Sequence, residues 1–168
     1  MAAREHDYFG ALGAAPRLWS ETIEVGEQRV EVVLRTDSAV ESSPGALEAA
    51  AALIAAAEGL DLRGRNAIVA GMGERGGDVT LFLQAAVDEL GDELEDVLVD
   101  RSGDVEMDLI RSLLWERLDI GVDSTGEGEP FARLVYGIDS DATDQRIAVS
   151  LAVDLATVAI QVLDGIDD

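Results

Sequence analysis

Residues 70–78 read Ala70-Gly71-Met72-Gly73-Glu74-Arg75-Gly76-Gly77-Asp78, and the fold turns on what this stretch is. Gly71, Gly73 and Gly76 fall in the order G-x-G-x-x-G. The apolar run Asn66-Ala67-Ile68-Val69 precedes them, and "DVTLFLQAAVDEL" (78–90) follows. Read as strand, turn and helix, this is a dinucleotide-binding turn. Its glycines would let the backbone approach a pyrophosphate, and the helix N-terminus would supply donors. Asp100, close to the expected offset, would hold ribose hydroxyls. That reading predicts a doubly wound α/β protein. Read as a loop between two helices, the same glycines are turn residues and Asp78 caps the second helix.

The surroundings favour the loop. Glu74 would lie inside the phosphate turn and Asp78 at the helix start, where each repels a phosphate; Arg75 offsets only part of this. The supposed first strand is short, and "LDLRGRNAIVAGM" (60–72) reads equally as helix or strand, since periodicity does not settle so brief a run.

Downstream, the pattern turns to period two. "LWERLDIGVD" (114–123), "FARLVYGID" (131–139), "QRIAVSLAVD" (145–154) and "ATVAIQVLD" (156–164) are four strand-like runs separated by turn-rich clusters. Upstream, "RLWSETIEV" (17–25) and "QRVEVVLRT" (28–36) flank Gly26 as a β-hairpin. Trp19, Glu21, Ile23 and Val25 alternate in its first arm. In the second, Val30, Val32 and Leu34 alternate with Arg29, Glu31, Val33 and Arg35. "SSPGALEAAAALIAAAEGLD" (42–61) predicts a helix, with Ser43 as N-cap, Pro44 in the first turn and Gly59 as its stop. Val79, Phe82, Leu83, Ala86, Val87 and Leu90 recur at helical spacing. A further short helix follows the turn at 100–103.

Strands and helices are thus segregated. The expectation is a single α+β domain: a hairpin over about 18–36, helices over about 43–113, and strands over about 114–163. They would form one mixed or antiparallel sheet with helices on one face.

Composition bounds the function. The 168 residues carry 35 Asp and Glu against 12 basic residues, all arginine, for a net charge of −23. Nucleic acid, which is bound through cationic patches, is excluded as a partner, and anionic membrane surfaces are disfavoured. The absence of cysteine removes thiolate catalysis and disulfides. The start "MAAREHDYFG" has no apolar leader segment, and no run is long and apolar enough to span a bilayer. A cytoplasmic location is expected.

The candidate chemistry is sparse. His6 is the only histidine, so no Ser-His-Asp triad or histidine metal cluster can be built around it. No cofactor is expected. "DELGDELED" (88–96) sets Asp88, Asp92 and Asp96 four apart, with Glu89 and Glu93 beside them. On one helix face these like charges repel, and solvation, salt or a basic partner must offset the repulsion. Asp88, Asp92, Glu93 and Asp96 are therefore the candidate partner-binding residues. "DRSGDVEMD" alternates oxygen ligands at Asp100, Ser102, Asp104, Glu106 and Asp108. It lacks the glycine position and terminal glutamate of a calcium loop. Asp139, Ser140, Asp141 and Asp144 read as a polar hairpin loop. Trp19 and Trp115 read as sheet packing.

Several of these segments together carry a resemblance. "HDYFG" (6–10) with Trp19 soon after, the helix after a glycine-bearing loop, then "LDIGVD", "LVYGID" and "DQRIAVSLAVD" follow one order. That order is similar to a widespread group of small bacterial proteins classed only as a domain of unknown function. Their closing pieces look like "xGLYPD", "FDYSI" and "DQLLVVxFD". This chain departs at "GVDSTGEGEP", where the tyrosine–proline pair is missing, and at "DLAT", which replaces a closing glycine turn. The resemblance implies an α+β fold and a glycine loop between helices. It carries no activity and no functional residues. Some similar small acidic proteins act as immunity partners of secreted toxins, which is analogy.

The leading expectation is a non-enzymatic binding module, an acidic immunity-like partner of a basic protein. The rival is a nucleotide-binding protein using Gly71, Gly73, Gly76 and Asp100. A homo-oligomer paired through exposed strand edges is the third possibility.

Overall fold

A computed structural model of the chain describes residues 4–6, 8–13, 17–36, 44–74, 76–99, 101–123, 125–138, 143 and 145–164. Ser43, Asp100, Asp139, Ser140, Asp141 and Asp144 lie outside them. His6 lies on a described strand, but its side chain is outside the description.

The fold is α+β. A short ladder joins β1 (Arg4–His6) to β2 (Gly10–Leu12). The main sheet has six strands in chain order: β3 (Arg17–Val25), β4 (Gln28–Arg35), β5 (Leu114–Gly121), β6 (Ala132–Gly137), β7 (Gln145–Leu151) and β8 (Thr157–Asp164). β3 and β4 form the expected hairpin, with Val25 opposite Gln28 across a two-residue turn. β5 to β8 form an antiparallel meander. β4 and β5 run parallel, with Val32 beside Leu118 and Leu34 beside Ile120, so the sheet is mixed. A parallel pair cannot be closed by a tight turn. The helical segment supplies the crossover, and that explains its place between hairpin and meander.

That segment holds α1 (Pro44–Ala55), α2 (Ala57–Gly71), α3 (Asp78–Leu90), α4 (Leu94–Val97) and α5 (Val105–Arg111), with a single 3-10 turn at Gly91–Glu93. Residues 66–69, open between helix and strand in the sequence, are helical, inside α2. One reading is corrected: Gly59 does not stop a helix. The break falls at Ala56, and α2 runs through Gly59. Its buried stripe of Ala57, Leu60, Gly64 and Ile68 docks on the core. This burial outweighs the roughly 1 kcal/mol that a helix-interior glycine costs.

The core lies between helices and sheet. Val30, Val32, Leu34, Leu118, Ile120, Leu134, Tyr136, Ile147 and Val149 point to it from the strands; Phe82, Leu83 and Leu109 meet them from the helices. Trp115 is 1% exposed and stacks on Tyr136, with ring centroids 6.4 Å apart. Trp19 meets Phe9 edge to face. Val33, expected to face water, is buried, as are Val135 and Ala148. All three lie on the sheet's far face, with Arg35, Arg117, Arg133 and Arg146 near them in the register.

Candidate functional site

The glycine loop joins α2 to α3. Each glycine that is required there has a packing or backbone reason. A Cβ on Gly71 would sit 2.6 Å from Val79 Cγ2, so this glycine lets the two helices approach. Gly76 has φ +71°, in the left-handed region that favours glycine. Thr80 Oγ1 donates to the Glu74 carbonyl at 2.9 Å and ties the loop to α3. No strand precedes the turn, so the strand–turn–helix geometry of a dinucleotide site is not formed by Gly71, Gly73 and Gly76.

The acidic run is reorganised relative to its sequence reading. α3 ends at Leu90, where Gly91 takes φ +51°, and the chain passes through the 3-10 turn into α4. Asp88, Asp92 and Asp96 therefore do not share one helix face. Ending the helix at Gly91 relieves the like-charge repulsion that a continuous helix would impose. Asp88, Glu89, Asp92, Glu93, Glu95 and Asp96 are all exposed. None makes an ion pair among the described residues. Half-buried Leu94 and Val97 anchor the segment to the core, and Arg101 Nη2 donates to the Glu95 carbonyl at 2.8 Å.

Beside this segment, α3 and α5 enclose a groove of about 340 Å³. Leu83 and Val87 give it an apolar floor. Gln84, Asp88 and Glu106 give it a polar rim. Glu106 stands on α5, whose N-cap Asp104 accepts from the Met107 amide at 3.2 Å. Asp88 was legible as a candidate from the charge run. Glu106 was not, because its place beside Asp88 depends on the packing of two helices.

The resemblance of residues 100–108 to a calcium loop dissolves in the structure. Asp108 is buried. It accepts from the Ser102 amide at 2.8 Å and the Ser102 hydroxyl at 2.7 Å, with Arg111 Nη1 3.9 Å away. Burial pushes its carboxyl up, but the hydrogen bonds from Ser102, the charge of Arg111 and the Gly103 amide outweigh this. They hold it below the ordinary carboxylate range. Asp108 staples the loop to α5. Among the described residues, no three His, Asp or Glu side chains converge as metal ligands.

A polar network crosses the core edge. Asp61 accepts from Arg65 Nε (3.0 Å), Gln28 Nε2 (3.1 Å) and the Tyr136 hydroxyl (3.0 Å). Gln28 Oε1 accepts from Arg65 Nη2 (2.7 Å) and the Trp115 amide (2.8 Å). Desolvation, then the charge and hydrogen bond of Asp61, push the Tyr136 phenol well above the ordinary tyrosine range. The groups satisfy one another and join hairpin, helix and meander. Sequence spacing shows only the Asp61–Arg65 step of four.

Comparison with protein-family models, curated proteins and solved structures finds no significant match to the chain. No described helix is long and apolar enough to cross a membrane.

Proposed function

We propose that the protein is a non-catalytic, cytoplasmic binding module that captures a basic protein, in the manner of an acidic immunity partner. One observation carries the reading. The groove between α3 and α5 pairs an apolar floor, Leu83 and Val87, with two carboxylates, Asp88 and Glu106, that make no ion pair among the described residues. A lysine or arginine has the matching form, an aliphatic stem with a charged head. Asp92, Glu93 and Asp96 continue the negative surface along the chain and supply attraction at longer range. Such surfaces raise association rates and select for partners of opposite charge.

The test is a pull-down from native lysate with the full chain as bait, at low and moderate salt. Stoichiometric recovery of one basic protein is expected. It should be lost when Asp88, Asp92, Glu93 and Asp96 are changed to their amides. It should persist when exposed acids elsewhere, Glu127 and Asp154, are changed in the same way. Recovery that ignores the first set, or that responds equally to both, overturns the reading.

A further inference from the structure

The far face of the sheet gathers arginines in an otherwise acidic molecule. Strand alternation places Arg29, Arg35, Arg117, Arg133 and Arg146 there, five of the chain's twelve arginines. Most have assigned partners. Arg146 Nε meets Glu116 at 2.6 Å, and Arg117 Nε binds Asp119 Oδ2 at 2.9 Å. Arg35 Nε lies 3.4 Å from Asp119 Oδ1, near enough to feel its charge but without hydrogen-bond alignment.

Arg29 and Arg133 have no partner among the described residues, but Arg29 is exposed and Arg133 is not. Arg133 stands opposite Asp119 on β5 and opposite Ser150 on β7. Asp119 Oδ2 is engaged by Arg117, while its Oδ1 lies near Arg35 but keeps no hydrogen-bond partner among the described residues. Arg133 makes no ion pair or hydrogen bond among the described residues, and its Nε is shut off from water. An unsatisfied buried donor on a charged group is costly, and a planar oxyanion received by the guanidinium fork removes that cost.

A groove of about 410 Å³ opens beside it, and no helix residue lines it. Arg35, Asp119, Asp123, Arg133, Ser150 and Gln161 form its polar lining. Ser150 is 5% exposed and Gln161 is exposed, and both present polar side chains to the groove. Asp123 is held by the Thr36 hydroxyl. Among the lining residues, Arg35 and Arg133 balance Asp119 and Asp123, so the groove is neutral before a ligand enters. A neutral lining tolerates one added negative charge better than two, so a monoanion is favoured over a phosphate dianion.

We infer that this groove binds a small carboxylate, gripped by the Arg133 guanidinium, with Ser150 and Gln161 as neutral hydrogen-bond partners. The site is separate from the acidic groove and does not rest on capture of a basic protein.

The test is an amide-resolved NMR titration of the full chain with benzoate, and in parallel with inorganic phosphate. Benzoate should give saturable, single-site shifts at the amides of Arg133, Ser150 and Gln161. Arg133→Gln should weaken binding by about tenfold or more, as loss of a charge-assisted bidentate contact does. Ser150→Ala, a change of one small atom, keeps the test decisive should Arg133→Gln not fold, and it should also weaken binding. No saturable shift at these amides, unchanged affinity in the variants that fold, or tighter binding of phosphate than of benzoate would each overturn the inference.

Discussion

The hydroxyl of Tyr136, on β6, stands 3.0 Å from Asp61 Oδ1, on α2, and beneath it Gly64 has no room for a side chain. One turn of α2 is thus both hydrogen-bonded and packed to the same tyrosine. Arg65 of that turn lies over the tyrosine ring, 5.3 Å from its centroid. The helix is seated by a phenol, a carboxylate, a guanidinium and the absence of one methyl group.

Tyr136→Phe removes the donor and leaves an Asp61 lone pair unmatched, at a cost of about 1–3 kcal/mol near neutral pH. The pH dependence has a definite sign. The folded state holds the Tyr136 proton, while the unfolded chain releases it near 10.0. The contribution is fully present below that value and declines as pH rises above it. Urea unfolding from pH 7 to 11 should show wild-type stability falling above pH 10, and a shallower fall in Tyr136→Phe. The other tyrosine, Tyr8, is 49% exposed in the fold. Parallel curves for the two proteins would refute the assignment.

Two glycines of α2 should respond in opposite directions to alanine. At Gly59 a new Cβ meets nothing within 4 Å, so the helix gains about 0.5–1 kcal/mol. At Gly64 the same atom would collide with the Tyr136 hydroxyl and lie 2.9 Å from Leu134 Cδ2. Overpacking costs about 1–3 kcal/mol and exceeds the propensity gain. Thermal unfolding should place Gly59→Ala above wild type and Gly64→Ala below it. Equal shifts would mean that α2 is not seated as described.

Asp108→Asn should destabilise the protein at neutral pH and less so in acid. The folded carboxyl lies below its unfolded value of 3.8, so its contribution is present above that pH and lost as pH falls through the lowered folded value. Acid titrations of the variant and wild type should therefore converge below pH 3.8. A difference that persists unchanged into strong acid would show that Asp108 contributes through shape alone.

These particular residues also show what was legible in the chain. The meander and hairpin were readable because their strands bury one face, which forces a period of two. α3 was readable from its apolar stripe. Residues 66–69 were not, since four apolar positions suit either a strand or a buried helix. Gly59 misled because tertiary packing of its neighbours overrides local propensity. Val33 misled because alternation shows only which face a residue takes, not whether that face is covered. The groove at Asp88 and Glu106 needs two helices in contact. The place of Arg133 needs the β5–β6 register and the pairing of Arg117 with Asp119. Neither condition is written in local spacing.

Gly91 carries the last prediction, because it decides how the acidic residues are displayed. Its φ of +51° and ψ of −119° belong to a region that side-chain-bearing residues avoid, at about 1–3 kcal/mol. Gly91→Ala leaves the chain two responses. It can keep the break and bear the strain, or it can continue α3 and align Asp88, Asp92 and Asp96. The second response adds repulsion of about 0.2–0.5 kcal/mol for each i,i+4 pair. Both destabilise, but salt separates them. Backbone strain is indifferent to ionic strength, whereas repulsion between exposed carboxylates is screened by it. The expected result is a lowered melting temperature. If the helix extends, circular dichroism should also show added helicity, and stability should recover in part as NaCl is raised. Stability equal to wild type at every salt concentration would show that Gly91 is not what ends α3.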